Sequence, residues 1–288
     1  MLANSIIGDI KHQFRYGNMV MKLIFVNVGV FLFFALLNLL SFLFQDASLY
    51  HLLLVKAEMP ASLSVLLQQP WSVFTYMFLH TGFFHVLFNL LWFYWFGEIF
   101  VLYLGDKKIL PLYIIGGISG ALVYVLAYNL LPVFKPQIDG SLMLGASASI
   151  FAVVFAAATL APDYEIRLLF IGVVRIKYIA LVSLLLDVIN IPYGNAGGYL
   201  AHVGGAISGY IFIKALQGGV DLASVVSVFR RKGKMKVSRG ETFSKTNSAP
   251  RTNNEQQRVD EILDKIARSG YDSLSKEEKD FLFNYSKK

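Results

Sequence analysis

Five long, uninterrupted apolar runs constrain this chain more than anything else in it: Met21 to Phe44, Phe83 to Leu104, Ile109 to Leu131, Leu142 to Ala161 and Tyr199 to Leu216. A helix needs about 20 apolar residues to cross a hydrocarbon layer roughly 30 Å thick, so each run reads as a membrane span. A sixth stretch, Leu168 to Ile191, is interrupted by Arg175 and Lys177. It reads as a short span starting near Lys177, with Leu168 to Val174 lying at the interface. The first run is longer than a signal-peptide core and lacks a small-x-small cleavage site after it, which predicts an anchor that stays. Only 16% of the residues are charged, against about 25% in a soluble domain. That excludes a soluble enzyme.

The fold class expected is therefore all-α: a polytopic membrane bundle of six transmembrane helices with a small cytoplasmic C-terminal helical hairpin. The expected boundaries are 1–20 for a cytoplasmic N-terminal segment, 21–217 for the membrane domain, 218–254 for a basic flexible linker and 255–288 for the hairpin. Charge supports the division: from Lys214 onward there are 16 Lys and Arg against 10 Asp and Glu, leaving 10 against 9 before it. Lys and Arg accumulate in loops that stay in the cytoplasm. Lys11, Arg15, Lys22, Lys107, Lys108, Arg167, Arg175 and Lys177 fall on one side of the six-span topology, and only Lys56 and Lys135 on the other. Both termini are thus expected in the cytoplasm. The loop from Gln45 to Gly82, rich in Leu, Trp and Phe, faces outward; it lies in the interface around Trp71 or packs on the helix tops.

Polar side chains inside spans are rare and mark function or a wet cavity. In this topology His85 and Asn89 of the second span, Ser147 of the fourth and His202 of the sixth reach one level, roughly 5 to 10 Å below the outer surface at 1.5 Å per residue. His85 and Asn89, four apart, share a helix face, a pair that alone is more often a packing hydrogen bond. Ser149 equals Ser147 on chemistry. Serine hydrolysis needs a base beside the hydroxyl and donors aimed at the oxyanion, and this set contains both. Gly145 lets a backbone approach near the nucleophile, while Ala201, Gly205 and Gly209 form a small-residue stripe for tight helix contact. No carboxylate is expected to join them: Asp187 reads as solvated at the interface. Zero cysteines exclude disulfides, thiolate metal sites and a Cys nucleophile. No metal and no cofactor are expected.

Three elements carry a resemblance: His80 through His85 to Asn89, Gly145-Ala146-Ser147-Ala148, and Ala201-His202-Val203-Gly204-Gly205 with Gly209. Over about Pro70 to Leu216 the chain resembles the rhomboid intramembrane serine proteases. The resemblance implies an endopeptidase that cleaves transmembrane proteins in a lipid bilayer near its outer boundary, here expected in a bacterial cell membrane. It implies Ser147 as nucleophile, His202 as general base, His85, Asn89 and the Ser147 amide as oxyanion donors, and His80 as the first histidine of its motif. Departures are Ala148 where many members have Gly, Ser72 after Trp71 where some have Arg, and Val101 where several have Glu, with Glu98 pointing elsewhere. The rival reading is a silent relative that binds transmembrane helices without cutting them. A transporter or channel would spread polar residues through the full depth. In the tail, the Arg230 to Arg239 cluster suits anionic headgroups or a topogenic linker. Val259, Ile262, Leu263 and Ile266 fall at helical spacing, Gly270 supplies a stop, and Ser275 with Glu278 forms a capping box. Nucleic-acid binding is not expected.

Overall fold

Each long apolar run folds as a helix, and most end where the sequence supplies a breaker. In the computed structural model, which describes residues 8, 11–168, 171–224 and 253–286, helix α1 (Met19–Phe44) starts under Asn18, whose Oδ1 accepts the Met21 N–H at 3.0 Å. It stops at Gln45, which is left-handed. Helix α2 (Ser48–Ala57), strand β1 (Met59–Pro60), α3 (Leu63–Gln68) and α4 (Ser72–Thr75) form the loop that follows. Helix α5 (Phe83–Leu104) closes at Gly105, φ 76°, and α6 is Ile109–Leu130. After strand β2 (Leu142–Met143) come α7 (Ser147–Leu160), strands β3 (Glu165–Leu168) and β4 (Gly172–Arg175), α8 (Ile176–Asn190) and α9 (Ala196–Gln217). All of this belongs to a unit of residues 1–231; residues 232–288 form a second.

Among the described residues, five helices are long and apolar enough to cross a membrane: α1, α5, α6, α8 with the turn after it, and α9. The fourth run is different. Residues 142–146 are not helical, and α7 begins only at Ser147, making 14 residues, or about 21 Å. Two contacts decide this: Met143 pairs with Met59 across an antiparallel β1–β2 bridge, and Gly145 sits at φ 130°, where a helix cannot continue. A short helix is tolerated at this place because α5, α6 and α9 surround it, so its irregular leading segment is buried in protein. The second correction concerns the sixth run, whose helix starts at Ala196 and carries His202 six residues along instead of three. Within Leu168 to Val174, the stretch expected at the interface, Leu168 and Gly172 to Val174 belong to an antiparallel β3–β4 ribbon, with Glu165 opposite Arg175 and Arg167 opposite Val173. At its base Lys177 Nζ and Arg175 Nη1 reach Asp163 Oδ1 at 2.7 and 3.3 Å, and the Lys177 bond holds that carboxyl below its usual range. Both pairs are exposed and add little stability.

Helices α5, α6, α7 and α9 make the core, with α1 against α5 and α8 at the edge of α7 and α9. The backbones of α7 and α9 touch where α9 has no side chain: a Cβ added to Gly205 would lie 2.1 Å from the Ala148 carbonyl oxygen, and one on Gly209 2.1 Å from that of Ala152. On α8, Leu181, Val182, Leu185 and Ile189 stay more than half exposed, as suits helices bathed in lipid. One end of the unit is tied by polar contacts. Asn18 Nδ2 donates to Glu98 Oε1 at 2.7 Å, the Met19 amide donates to Asp106, and Lys108 Nζ meets Asp221 Oδ2 at 2.5 Å. Glu98 therefore secures the start of α1.

The loop between α1 and α5 packs on the helices through Tyr76, Met77 and Met59, all buried. The Tyr76 hydroxyl donates to the Gly117 carbonyl at 2.6 Å and that of Tyr113 to the Met77 carbonyl at 2.8 Å. The Trp71 indole N–H donates to the Lys56 carbonyl at 2.8 Å. Glu58, at the end of α2, is 8% exposed, and burial pushes its carboxyl up to about 7. A carboxyl with a raised folded value stabilises the fold below its unfolded value of about 4.5 and loses that contribution as pH rises through about 7. Melting in detergent should therefore show a lower Tm at pH 8 than at pH 5, and Glu58→Gln should flatten that slope.

In the second unit, α10 (Asn253–Ser269) and α11 (Lys276–Ser286) flank a short turn. Gly270 ends α10 at φ 79°. Ser275 and Glu278 cap each other, the Ser275 amide donating to Glu278 Oε2 at 2.7 Å and the Glu278 amide to Ser275 Oγ at 3.2 Å. Val259, Ile262 and Leu274 are buried within it, whereas Leu263, expected among them, is half exposed. Arg230 to Arg239 lie outside the described residues, as does most of the expected 218–254 linker.

Candidate active site

Ser147 is the first residue of α7. Because a helix has no acceptors for its first-turn amides, the Ser147 N–H and its neighbours point free donors and the positive helix end toward whatever lies in front. In front lies a cavity of about 1050 Å³, lined by Ser147, His202, His85, Asn89 and Asp187 among others. Gln137 and Asn195, outside the long helices, also line it. The serine, both histidines, the asparagine and the aspartate thus meet one space from four helices, α5, α7, α8 and α9.

Gly145 sets the spacing there. At φ 130° a side chain would be strained, and a Cβ there would touch both groups at ordinary contact distance, 3.4 Å from His85 Nε2 and 3.5 Å from Ser147 Oγ. The Gly145 amide donates to the Tyr76 carbonyl at 2.9 Å, pinning the turn to the loop. His202 is brought over the serine's helix by Phe151, one turn beyond Ser147: the rings stack at 4.3 Å and 12°. No hydrogen bond joins Ser147 to His202 among the described residues. Such bonds are often long in a free enzyme and tighten with substrate.

The remaining candidates divide. Asn89 lines the cavity, and its Nδ2 donates to the His85 carbonyl at 2.9 Å, so one amide hydrogen is spent on its own helix. His80 is 3% exposed with both ring nitrogens unpartnered, and it meets His85 edge to face at 5.1 Å. It backs His85 and does not line the cavity. Ser149 is fully buried against Gly116 of α6, which removes the alternative nucleophile. Gly205 and Gly209 hold α9 to α7, as above.

Asp187 is the correction. It was expected to solvate itself, yet its Oδ2 lies 2.7 Å from His202 Nδ1, both side chains mostly buried. Linear spacing hid the pair: 15 residues and a reversal of chain direction separate them. A signal existed, since Asp187 is the sole acidic residue of α8, and a lone carboxylate in an apolar helix calls for a partner.

Residues 67–217 match the Rhomboid domain family, and residues 245–288 match a family of unknown function, DUF6576. A search of curated proteins returns no match. The first match covers just over half the chain and contains all three motif elements, so this integral membrane protein is a member of the rhomboid family.

Proposed function

We propose that this protein is an intramembrane serine endopeptidase that cleaves transmembrane proteins with Ser147 as nucleophile and His202 as general base. The observation that carries the reading is the shared cavity: a serine at a helix N-terminus and a histidine stacked one turn along the same helix both line it. His202 takes the Ser147 proton as Oγ attacks a peptide carbonyl. The oxyanion sits before the first-turn amides of α7 with His85 and the free Asn89 hydrogen beside it. His202 then protonates the leaving amine, and water repeats the sequence to release the acyl product. Helical carbonyls are already hydrogen-bonded, so the substrate bond must be unwound, which favours segments with small or helix-breaking residues near the outer membrane boundary. With both termini cytoplasmic, as the Lys and Arg distribution indicates, the cavity opens on the outer side.

A fluorophosphonate probe tests this directly. Incubated with the folded protein in detergent, it should form one adduct, located on Ser147 by peptide mass spectrometry and lost on prior heat denaturation. An unlabelled Ser147 in folded protein would favour a silent relative that binds transmembrane helices.

A further inference from the structure

We infer that Asp187 is a positioning residue for His202, converting the expected pair into a three-membered relay drawn from α7, α9 and α8. The inference rests on the assignment of Ser147 and His202 given above. Two contacts on the imidazole do different work. Stacking on Phe151 sets the plane of the ring, but a stacked ring can turn 180° about its Cβ–Cγ bond and remain stacked. That turn exchanges Nδ1 with a carbon. The 2.7 Å contact from Nδ1 to Asp187 Oδ2 is lost in the turned state, so the carboxylate selects one of the two orientations.

The same contact selects the tautomer. A carboxylate accepts and does not donate, so Nδ1 carries the hydrogen and Nε2 is left with a lone pair to receive the Ser147 proton. When Oγ bonds to the carbonyl carbon, the π pair moves to oxygen and the hydroxyl proton moves to Nε2. The imidazolium then faces an anion through a charge-assisted bond, and Asp187 keeps its charge throughout. On collapse the C–N bond breaks and the Nε2 proton goes to the amine. Because Asp187 stands on α8 and His202 on α9, the bond forms only with α8 seated. The carboxylate's site also argues against a casual surface pair: its side chain is 16% exposed while Leu185, Leu186, Val188 and Ile189 around it on α8 remain open.

The groups facing His202 that can titrate are Asp187 from α8, His85 from α5 and Tyr199 from its own helix. Tyr124 and Tyr128 of α6 line the same cavity, and α7 presents Ser147, Ile150 and Phe151. Full-length wild type, Asp187→Asn, Asp187→Glu and Asp187→Ala are compared in detergent on a single-span substrate across pH 5 to 9, with Tm measured for each. Asp187→Asn is expected to lose roughly 10²- to 10⁴-fold in kcat with KM within about 3-fold. The acid limb of its pH–rate profile should be displaced from that of wild type, because the imidazole has lost its carboxylate partner. Asp187→Glu should recover part of the rate and move the limb back. Rates and limbs that match wild type in folded Asp187→Asn overturn the inference. So does equal loss in all three variants that tracks Tm with an unmoved limb, which marks a packing role alone. If Asp187→Asn does not fold, Asp187→Ala read against Asp187→Glu decides: lost kcat and a displaced limb in folded Asp187→Ala, partly recovered in Asp187→Glu, support the inference, and a wild-type rate and limb in Asp187→Ala overturn it. Failure of the serine assignment itself reads out separately, as absent fluorophosphonate labelling of Ser147 in wild type.

Discussion

Ser147→Ala is expected to abolish cleavage of a single-span substrate while leaving the melting temperature unchanged. The hydroxyl lost is at the first position of α7, faces the cavity and makes no hydrogen bond among the described residues, so the fold loses nothing with it. Alanine is also the better helix former. Catalysis loses its nucleophile, and where nucleophile and base act as a unit the expected fall in kcat is on the order of 10⁶. His202→Ala should fall nearly as far, and the double variant scarcely further, since each has already removed the other's function. Ser149→Ala is the matched control two residues along. Its hydroxyl is buried without a partner, so that variant should cleave normally and melt at or slightly above wild type. Normal cleavage by Ser147→Ala, or lost cleavage by a folded Ser149→Ala, would reverse the assignment.

The second large effect comes from packing. Gly205→Ala places a methyl 2.1 Å from the Ala148 carbonyl oxygen and 2.9 Å from its carbon. Both are backbone atoms, so no rotamer change relieves the overlap, and α9 must move off α7. Overpacking of this kind costs about 1–3 kcal/mol, more at Gly209 and Gly205 together. In a domain of this size about 1 kcal/mol shifts Tm by roughly 2–4 °C. Activity falls with stability here because the two helices forced apart carry His202 and Ser147. Gly29→Ala on α1, which meets nothing within 4 Å, should leave both quantities intact. A Gly205→Ala protein that melts and cleaves like wild type would show that α7 and α9 do not approach as closely as described.

The contrast between these variants follows the line between what was legible in the chain and what was not. Helical spans from Phe83 to Leu104 and from Ile109 onward could be read within a residue or so, because a long apolar run in a membrane must satisfy its own backbone and has no other regular choice. Likewise Ser275 and Glu278, three apart, form their mutual cap from local geometry alone. The fourth span could not be read that way. Leu142 to Ala146 are apolar enough to continue a helix, but Met59, 84 residues upstream, pairs with Met143 and takes it out of one.

At the site, motif order in the chain is enough to nominate Ser147, His202, His85 and Asn89. It says nothing of which atoms face one another. That Asn89 spends a hydrogen on its own helix, that Ser149 is walled off by Gly116, and that Asp187 reaches His202 are all products of packing between helices far apart in sequence. Composition and periodicity alone determined a membrane-spanning helical chain, since transfer energies act residue by residue and need no neighbours. Which of the two serines faces the cavity and which group partners the histidine were decided only by tertiary structure, because each depends on distances of a few ångströms between side chains and backbones whose helices pack on one another only in the folded bundle.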